Sequence, residues 1–544
     1  MHLFIYGPPG SGKSTIGRIL AARLGRSFVD LDAVIEASTR QSIRDIFALE
    51  GERGFRLREQ KALREAAADV TPCVISLGGG ALLDPDNRAL AEASGEIVFL
   101  QADVATLEGR VAKRPGVRPL LSTAGTGECK TPPAAGSGKP VAQLLSERAE
   151  HYGSFPNRVM VSDIPPESTA DAVQAVLGWY RVSGMGNAYD IHVVADGFAR
   201  LQNWLEPLAI GQKTVIVGDA HTLPLYGSRV KAVLEAMGVQ ASLVMLPAGE
   251  AHKTIDAVRQ LWNAFLQAGI ERKNVVFALG GGVVGDLTGF AAATWLRGIR
   301  WVNLPTTLLS MVDAGIGGKT GADLPEGKNL IGAFHPPALV VSDTSTLTSL
   351  PLHEWRNGLA EAIKHAIIGD PALLTYMPAF SAFLKQGESL ALTPRACAAF
   401  VAQAMAVKVR IIQQDPFEKG IRAALNLGHT IGHAIEQVTH FGVSHGEAVA
   451  IGTVQEARLA EEIGSAEAGL AARIEALFSS VGLPTALPIG LSVPALKEAM
   501  SVDKKKADGL VRFALPVAVG EVRINQVISD HMLGVLVHVQ QREA

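Results

Sequence analysis

From the second residue onward, apolar runs of strand length alternate with helix-length amphipathic stretches. "HLFIY", "SFVDLD", "CVISL" and "EIVFL" are each followed by one. That rhythm belongs to β–α–β units and calls for a parallel sheet with helices on both faces, an α/β fold class. A second series begins at "DIHVV" and continues through "KTVIVGD", "ASLVML", "NVVFALGGG", "RWVNLPTT" and "ALVVSD". From about Leu347 the pattern turns helical nearly to the end, with one late strand signal at "LVRFALP". A chain of 544 residues exceeds one ordinary core. The expected division is an α/β unit over 1–180, a linker at 181–188 within "RVSGMGNAY", an α/β subdomain over 189–346 and a helical subdomain over 347–544. The Gly-, Pro-, Ser- and Thr-rich stretch 120–140 reads as a loop within the first unit.

With 48% hydrophobic and 19% charged residues, the chain has material for packed cores. A net charge of −3 without a basic block gives no sign of a nucleic-acid partner. No unbroken apolar run reaches ~18 residues, which argues against a membrane span. The start has neither a basic leader nor a cleavable apolar core. Cys73, Cys129 and Cys397 are far apart and form no CxxC pair. The expectation is a soluble, cytoplasmic protein with free thiols.

"GPPGSGKS", Gly7–Ser14, satisfies G-x-x-x-x-G-K-[ST] between a strand and a helix. Gly10, Gly12, Lys13, Ser14 and Thr15 then form the phosphate-binding turn, with Lys13 on the β and γ groups of a nucleotide and Ser14 on Mg²⁺. "FVDLDAVIE" sets Asp30 and Asp32 on one side at the end of the second strand, one for Mg²⁺ and one for a substrate hydroxyl. Arg56 and Arg58 follow in "GERGFRLREQ", and "ISLGGGALL" offers bare backbone at Gly78, Gly79 and Gly80. Arg118 in "RPGVRPLL" is placed to reach a phosphoryl group in transfer.

Together these motifs resemble shikimate kinase over about 1–180. The resemblance implies that Asp32, Arg56 and Gly78–Gly80 bind shikimate, with Asp32 accepting its proton. It makes Arg148 in "SERAEHY" a further carboxylate-binding arginine and Arg118 the lid residue. Lys13, Asp32 and Arg118 are the expected catalytic groups. In two respects the chain departs from the family. Segment 122–140 lengthens the lid, and "HYGSFPN" lacks the arginine that usually flanks adenine after the tyrosine, leaving Arg110 as the other half of that sandwich.

In the second series, "FALGGGVVGDLTGF" is a strand, a glycine turn and a helix start able to seat a pyrophosphate. "LPAGEAHKT" and "LPTTLL" add polar groups at other strand ends. "DAGIGGKTGADLPEGKNLIG" collects Asp313, Lys319, Lys328 and Asn329 in one glycine-rich stretch, either for anion capture or as a solvated loop. "EWRNGLAEAIKHAIIG" is an amphipathic helix with Leu359, Ala362, Ile363 and Ile367 inward, where Glu361 and Lys364 could be a simple helix salt bridge. Finally, "GHTIGHAIEQVTHFGVSHGE" packs four histidines into twenty residues, and the spacing of His429 and His433 puts them on one helix face.

From about Tyr189 to the end the chain resembles 3-dehydroquinate synthase. The resemblance implies Zn²⁺ (or Co²⁺) on Glu361, His429 and His445, with open positions as in catalytic sites. It makes His433 a substrate contact, His440 a surface residue and Glu436 a helix-face charge. NAD⁺ is expected on Asp219, Glu250, Lys253, Gly281, Gly282, Val283, Val284, Gly285, Asp286, Thr306 and Thr307. Lys319, Lys328 and Asn329 lie close to that cofactor in the same reading. His221 stands where the family usually has Asn. The implied substrate pocket holds Asp313, Lys319, Asn329, Lys364, Lys408, Arg422, Asn426 and His433, with Lys504 or Lys505. Of these, Lys319, Lys364, His433, Arg422 and Asn426 are the expected catalytic groups, and Arg297 reaches across a homodimer interface. Rival readings keep the folds and change the roles: a polyol dehydrogenase or another sugar-phosphate cyclase for the second part, and another small-molecule kinase or a regulatory nucleotide-binding module for the first.

Overall fold

The computed structural model describes residues 1–112, 140–325, 327–387, 389–440, 442–491, 493–504 and 511–528. Arg118, Cys129, Lys505 and the expected lid segment up to residue 139 lie outside the described residues. The chain divides into two compact units, Met1–Leu177 and Gly178–Ala544.

The first unit holds five parallel strands: β1 (His2–Tyr6), β2 (Ser27–Asp30), β3 (Cys73–Ser76), β4 (Gly95–Gln101) and β5 (Arg158–Met160), in the order β2-β3-β1-β4-β5. β1 and β3 are buried throughout, as their unbroken apolar runs require in a sheet covered on both faces. Asp30 ends β2 as expected. Asp32 does not extend that strand, because a helix already begins at Leu31 (Leu31–Thr39). The two carboxylates are therefore set by a strand end and a helix start, rather than by strand alternation.

The second unit is built on a seven-stranded sheet. Its strands are β6 (Trp179–Val182), β7 (Tyr189–Val194), β8 (Lys213–Asp219), β9 (Gln240–Leu246), β10 (Val275–Gly280), β11 (Arg300–Pro305) and, after a hairpin, β14 (Leu339–Asp343). The order is β6-β7-β14-β11-β10-β8-β9, parallel except for β6 against β7. Residues 181–188, read as a linker, thus begin inside a strand that pairs with β7. The hairpin is β12 (Lys319–Leu324) against β13 (Gly327–Phe334), a regular element within what reads as a glycine-rich loop. A second hairpin, β15 (Arg512–Ala518) and β16 (Glu521–Val527), accompanies the helices.

Helices Leu352–Gly369, Pro394–Gln414, His429–Val438 and His445–Glu462 form the core of the helical part. The first is not amphipathic: Glu361, Lys364 and His365 are as buried as Leu359 and Ile363. Pro394–Gln414 is long and apolar enough to cross a membrane, but 67% of its apolar window is buried, and it serves here as a core helix. Two helix starts matter for the site. Gly428, at a left-handed φ of 78°, precedes His429, and a Ser444–Glu447 capping box makes His445 the first residue of its helix.

Candidate active sites

In the first unit the chain leaves β1 through Gly7–Gly12 and enters the helix Lys13–Leu24. Gly10 and Gly12 take φ of 88° and 90°, which only glycine adopts without strain. Lys13 is buried, and its Nζ donates to the carbonyls of Gly7 (2.9 Å) and Pro8 (3.1 Å). Ser14 Oγ donates to Asp30 Oδ2 at 2.6 Å and lies 3.5 Å from Ser76 Oγ. The result is a backbone nest with a lysine inside it and a hydroxyl–carboxylate pair at its edge, suited to phosphates and a divalent cation. Arg110 packs against this loop, NH1 3.5 Å from Gly10 O and NH2 3.0 Å from Val161 O.

Beside it, Arg56 NH1 donates to Glu59 Oε2 at 2.6 Å and NH2 to Glu52 Oε1 at 3.1 Å. The glycines at 78–80 have a packing reason. A Cβ at Gly78 would lie 2.2 Å from Glu59 Oε1 and 3.6 Å from Asp32 Oδ1, and one at Gly80 would lie 2.6 Å from Arg56 NH2. Asp32, Arg56 and the three glycines are thus brought together. Arg148 joins them through Gly79, whose carbonyl accepts from Arg148 NH1 (2.8 Å) and Tyr152 OH (2.9 Å). Arg58 points elsewhere, bonded by both its Nε and NH2 to Glu50.

In the second unit, helix Gly282–Thr294 starts after Gly281 at the end of β10, bringing Val283, Val284, Gly285 and Asp286 into its first turns. Thr306 and Thr307 follow β11. The Thr306 hydroxyl is buried with no hydrogen-bond partner among the described residues. Lys253 Nζ lies 2.7 Å from Asp286 Oδ2 and 2.6 Å from Asn329 Oδ1. Asp219 closes its own loop by accepting from the backbone of His221 (3.0 Å) and Thr222 (2.8 Å).

Glu361, His429 and His445 converge. His429 Nε2 is 3.5 Å and His445 Nε2 3.4 Å from Glu361 Oε1, a buried oxygen without a hydrogen-bond partner among the described residues. His429 Nδ1 is engaged at 3.1 Å by the Leu427 carbonyl, so its Nε2 faces the carboxylate. Ligand atoms of the three residues lie within 4.8 Å of one another. Two imidazole nitrogens and a carboxylate oxygen facing one another call for a cation between them, and this donor set fits zinc or cobalt.

Other cationic groups of this unit are each engaged by a carboxylate or a carbonyl. Lys364 pairs with Glu361 Oε2 and donates to Leu425 O at 3.0 Å. Lys408 donates to Asp313 Oδ1 at 2.9 Å. Lys319 meets Glu418 at 2.5 Å, Asn426 reaches the other Glu418 oxygen at 3.4 Å, and buried Arg422 donates to Pro416 O. His433 is exposed, its ring 5.1 Å from that of His429. Arg297 stands on an exposed turn at φ 68°, and Lys504 ends the helix Val493–Lys504.

Residues 243–357 match the family model for the 3-dehydroquinate synthase N-terminal region, and 358–506 match the C-terminal one. The 3-dehydroquinate synthase of Synechococcus sp. is 45% identical over 356 residues, covering 64% of this chain and 94% of that protein. The chain belongs to the 3-dehydroquinate synthase family. That of Symbiobacterium thermophilum is 44% identical over 319 residues, 58% of this chain and 88% of the relative. Among solved structures, 2-epi-5-epi-valiolone synthase from Streptomyces hygroscopicus, with NAD⁺ and Zn²⁺ bound, aligns at TM-score 0.60 and 28% identity, over 67% of this chain and 100% of that one. Residues 9–177 match the shikimate kinase model. One chain thus joins a shikimate kinase, a phosphotransferase, to a 3-dehydroquinate synthase, a lyase.

Within the 3-dehydroquinate synthase part, charge compensation is tight. Burial opposes ionisation of Glu361, yet Lys364 beside it holds its carboxyl well below the usual range. Asp313 is likewise held low, by Lys408 and Lys364 against burial. Burial pushes His429 well down, which keeps it neutral and able to offer a lone pair. His445 is the opposite case: burial lowers it, but its contacts with Glu361 and Glu436 lift it to about 10.

Sequence reasoning passes over several residues that these sites use. Glu436 is no exposed helix-face charge. It is buried and lies 3.2 Å from Lys328 and 3.6 Å from His445 Nδ1. Glu59 anchors Arg56, Glu418 pairs with Lys319, and fully buried His365 sits between Ala404 O (3.0 Å) and Asp313 Oδ1 (3.6 Å). The two glutamates at 59 and 436 carry one faint signal, their i+3 spacing from Arg56 and His433.

Proposed function

We propose that the second unit converts 3-deoxy-arabino-heptulosonate 7-phosphate to 3-dehydroquinate with phosphate release, and that the first transfers the ATP γ-phosphoryl group to the 3-hydroxyl of shikimate. The observation that carries the first claim is the convergence of His429 Nε2 and His445 Nε2 on Oε1 of Glu361, whose other oxygen pairs with Lys364. Glu361, His429 and His445 would hold Zn²⁺ or Co²⁺, and NAD⁺ would lie along Gly281–Asp286, Thr306 and Thr307. When bound, the metal polarises the hydroxyl to be oxidised, and NAD⁺ takes and returns a hydride.

The chain's own residues supply the rest. Lys319, Arg422 and Asn426 capture the phosphate end, and releasing Glu418 frees Lys319 and Asn426 for it. Lys364 and Lys408 balance the carboxylates of Glu361 and Asp313 so that the pocket keeps donors aimed inward when water is expelled. His433, exposed beside His429, contacts the substrate.

In the kinase, Lys13 leaves the Gly7 and Pro8 carbonyls to bridge the nucleotide's phosphates. Ser14 and Asp30 hold Mg²⁺ directly or through water. Arg56, anchored by Glu59, takes the shikimate carboxylate bidentately. Asp32, close to Gly78, accepts the hydroxyl proton. In this reading the synthase part is a homodimer in the cytoplasm, and Arg297 of one protomer serves the substrate of its partner.

The test gives each substrate separately to the purified chain and to Lys13→Ala and His445→Ala variants. Lys13→Ala should lose shikimate phosphorylation and keep dehydroquinate formation, and His445→Ala the reverse, with loss of metal. Shikimate phosphorylation surviving Lys13→Ala would sink the kinase reading. Metal and dehydroquinate formation surviving His445→Ala would sink the other.

A further inference from the structure

The two histidines that face Glu361 are held differently. His429 is fixed by a backbone carbonyl, that of Leu427, at its Nδ1. His445 Nδ1 faces a side chain instead, Glu436 Oε2 at 3.6 Å, an ion-pair separation. Glu436 is itself buried, and its other oxygen, Oε1, accepts from Lys328 Nζ at 3.2 Å. Lys328 belongs to β13 and also lies 3.6 Å from Glu250.

We propose that Glu436 is a positioning residue that holds the His445 ring with its Nε2 turned toward Glu361, and that Lys328 in turn holds Glu436. His433, Glu436 and His445 also lie close enough to suggest a second metal site. The ammonium of Lys328 already supplies the counter-charge to Glu436, so the ion pair rather than a second cation accounts for that carboxylate. A carboxylate behind a ligand histidine fixes its tautomer, with hydrogen on Nδ1 and the lone pair on Nε2, and raises its basicity toward the metal. Because Lys328 adjoins Asn329, which is bonded to Lys253, the support of the metal ligand runs into the same hairpin that borders the proposed dinucleotide pocket.

The inference rests on Glu361, His429 and His445 as the metal ligands, and the test separates the two. Zinc affinity of the full chain, stripped of metal, is measured by competition with a chromophoric chelator, together with the visible spectrum of the Co²⁺ form. Glu436→Gln should weaken zinc binding by about 10–100-fold and alter the Co²⁺ spectrum, while the unfolding midpoint of the metal-free protein stays put. Lys328→Met should weaken it less, and adding it to Glu436→Gln should cost nothing more, because the lysine acts through the glutamate. Zinc affinity in Glu436→Gln within about threefold of the parent overturns the proposal, as does a loss matched by destabilisation of the metal-free chain. If Glu436→Gln fails to fold, Glu436→Asp and Lys328→Met decide by the same comparison. His445→Ala with undiminished zinc affinity would instead overturn the ligand assignment itself.

Discussion

Lys253 Nζ lies 2.7 Å from Asp286 Oδ2, so one buried ammonium holds the first turns of the helix Gly282–Thr294 and, through Asn329, the β13 hairpin. Burial pushes the Asp286 carboxyl up to about 6 from its ordinary 3.8, with Lys253 pulling the other way. Below about pH 4 the folded and unfolded chains both hold this proton. Between about pH 4 and 6 only the folded chain holds it, so stability falls as pH rises, and above 6 the loss is complete. Asp286→Asn should flatten that slope, worth at most about 3 kcal/mol. Unfolding midpoints of the second unit between pH 4 and 8 measure it. Parallel curves for the two proteins would refute the assignment.

In the kinase, Glu59 is fully buried, and its main partner is Arg56. Glu59→Gln keeps the shape and removes the charge, leaving Arg56 only the exposed Glu52 at 3.1 Å. A charge-assisted hydrogen bond is worth about 1.5–3 kcal/mol, so KM for shikimate should rise roughly tenfold or more. Dehydroquinate formation should not change. An unaltered KM would mean that Glu52 alone orients the arginine.

The parts of these sites written in contiguous residues were legible. The loop Gly7–Ser14 needs a strand, glycines and a helix start in immediate succession, and the structure has them in that order. What escaped was set by contacts across the fold. The β12–β13 hairpin hides in a Gly-rich run because its pairing, from Lys319↔Phe334 to Leu324↔Gly327, carries little apolar alternation. The candidate metal cluster was named by the family resemblance, not by spacing. Spacing on one helix offers His429 with His433, but Glu361 meets His429 and His445, each the first residue of a different helix. Burial decided the glutamates: Glu436 looks like any helix-face charge until Lys328, 108 residues earlier, is seen to reach it.

Glu418 should act as a competitor for the anion pocket. Its carboxylate takes both Lys319 and Asn426, the groups assigned to the substrate's phosphate. Lys319 is 52% and Glu418 31% exposed, and a pair this wet is worth only about 0.2–1 kcal/mol. Glu418→Gln should therefore tighten inhibition of dehydroquinate formation by inorganic phosphate by about 1.5- to 5-fold. Inhibition constants at fixed ionic strength read the effect, and weaker inhibition would show that Glu418 orients Lys319 rather than competing with the ligand.

The helices His429–Val438 and His445–Glu462 cross on glycine, and this crossing sets the distance between their first residues. A Cβ at Gly452 would come within 2.1 Å of Gly428 O and 2.9 Å of Gly432 N, both backbone atoms that cannot swing aside. Gly452→Ala must push the helices apart, at a cost of about 1–3 kcal/mol for overpacking. The displaced segment is the one that delivers His429 to Glu361, so zinc should be lost along with stability, while shikimate phosphorylation in the other unit persists. Gly109 provides the opposite sign. It sits in the helix Val104–Ala112, and among the described residues no atom outside that helix's own backbone lies within 4 Å of a Cβ, so Gly109→Ala should stabilise the first unit by about 0.5–1 kcal/mol. Unfolding midpoints and zinc content of the two variants decide the matter. A Gly452→Ala protein with full zinc and an unshifted midpoint would show that the crossing can relax without moving the ligands.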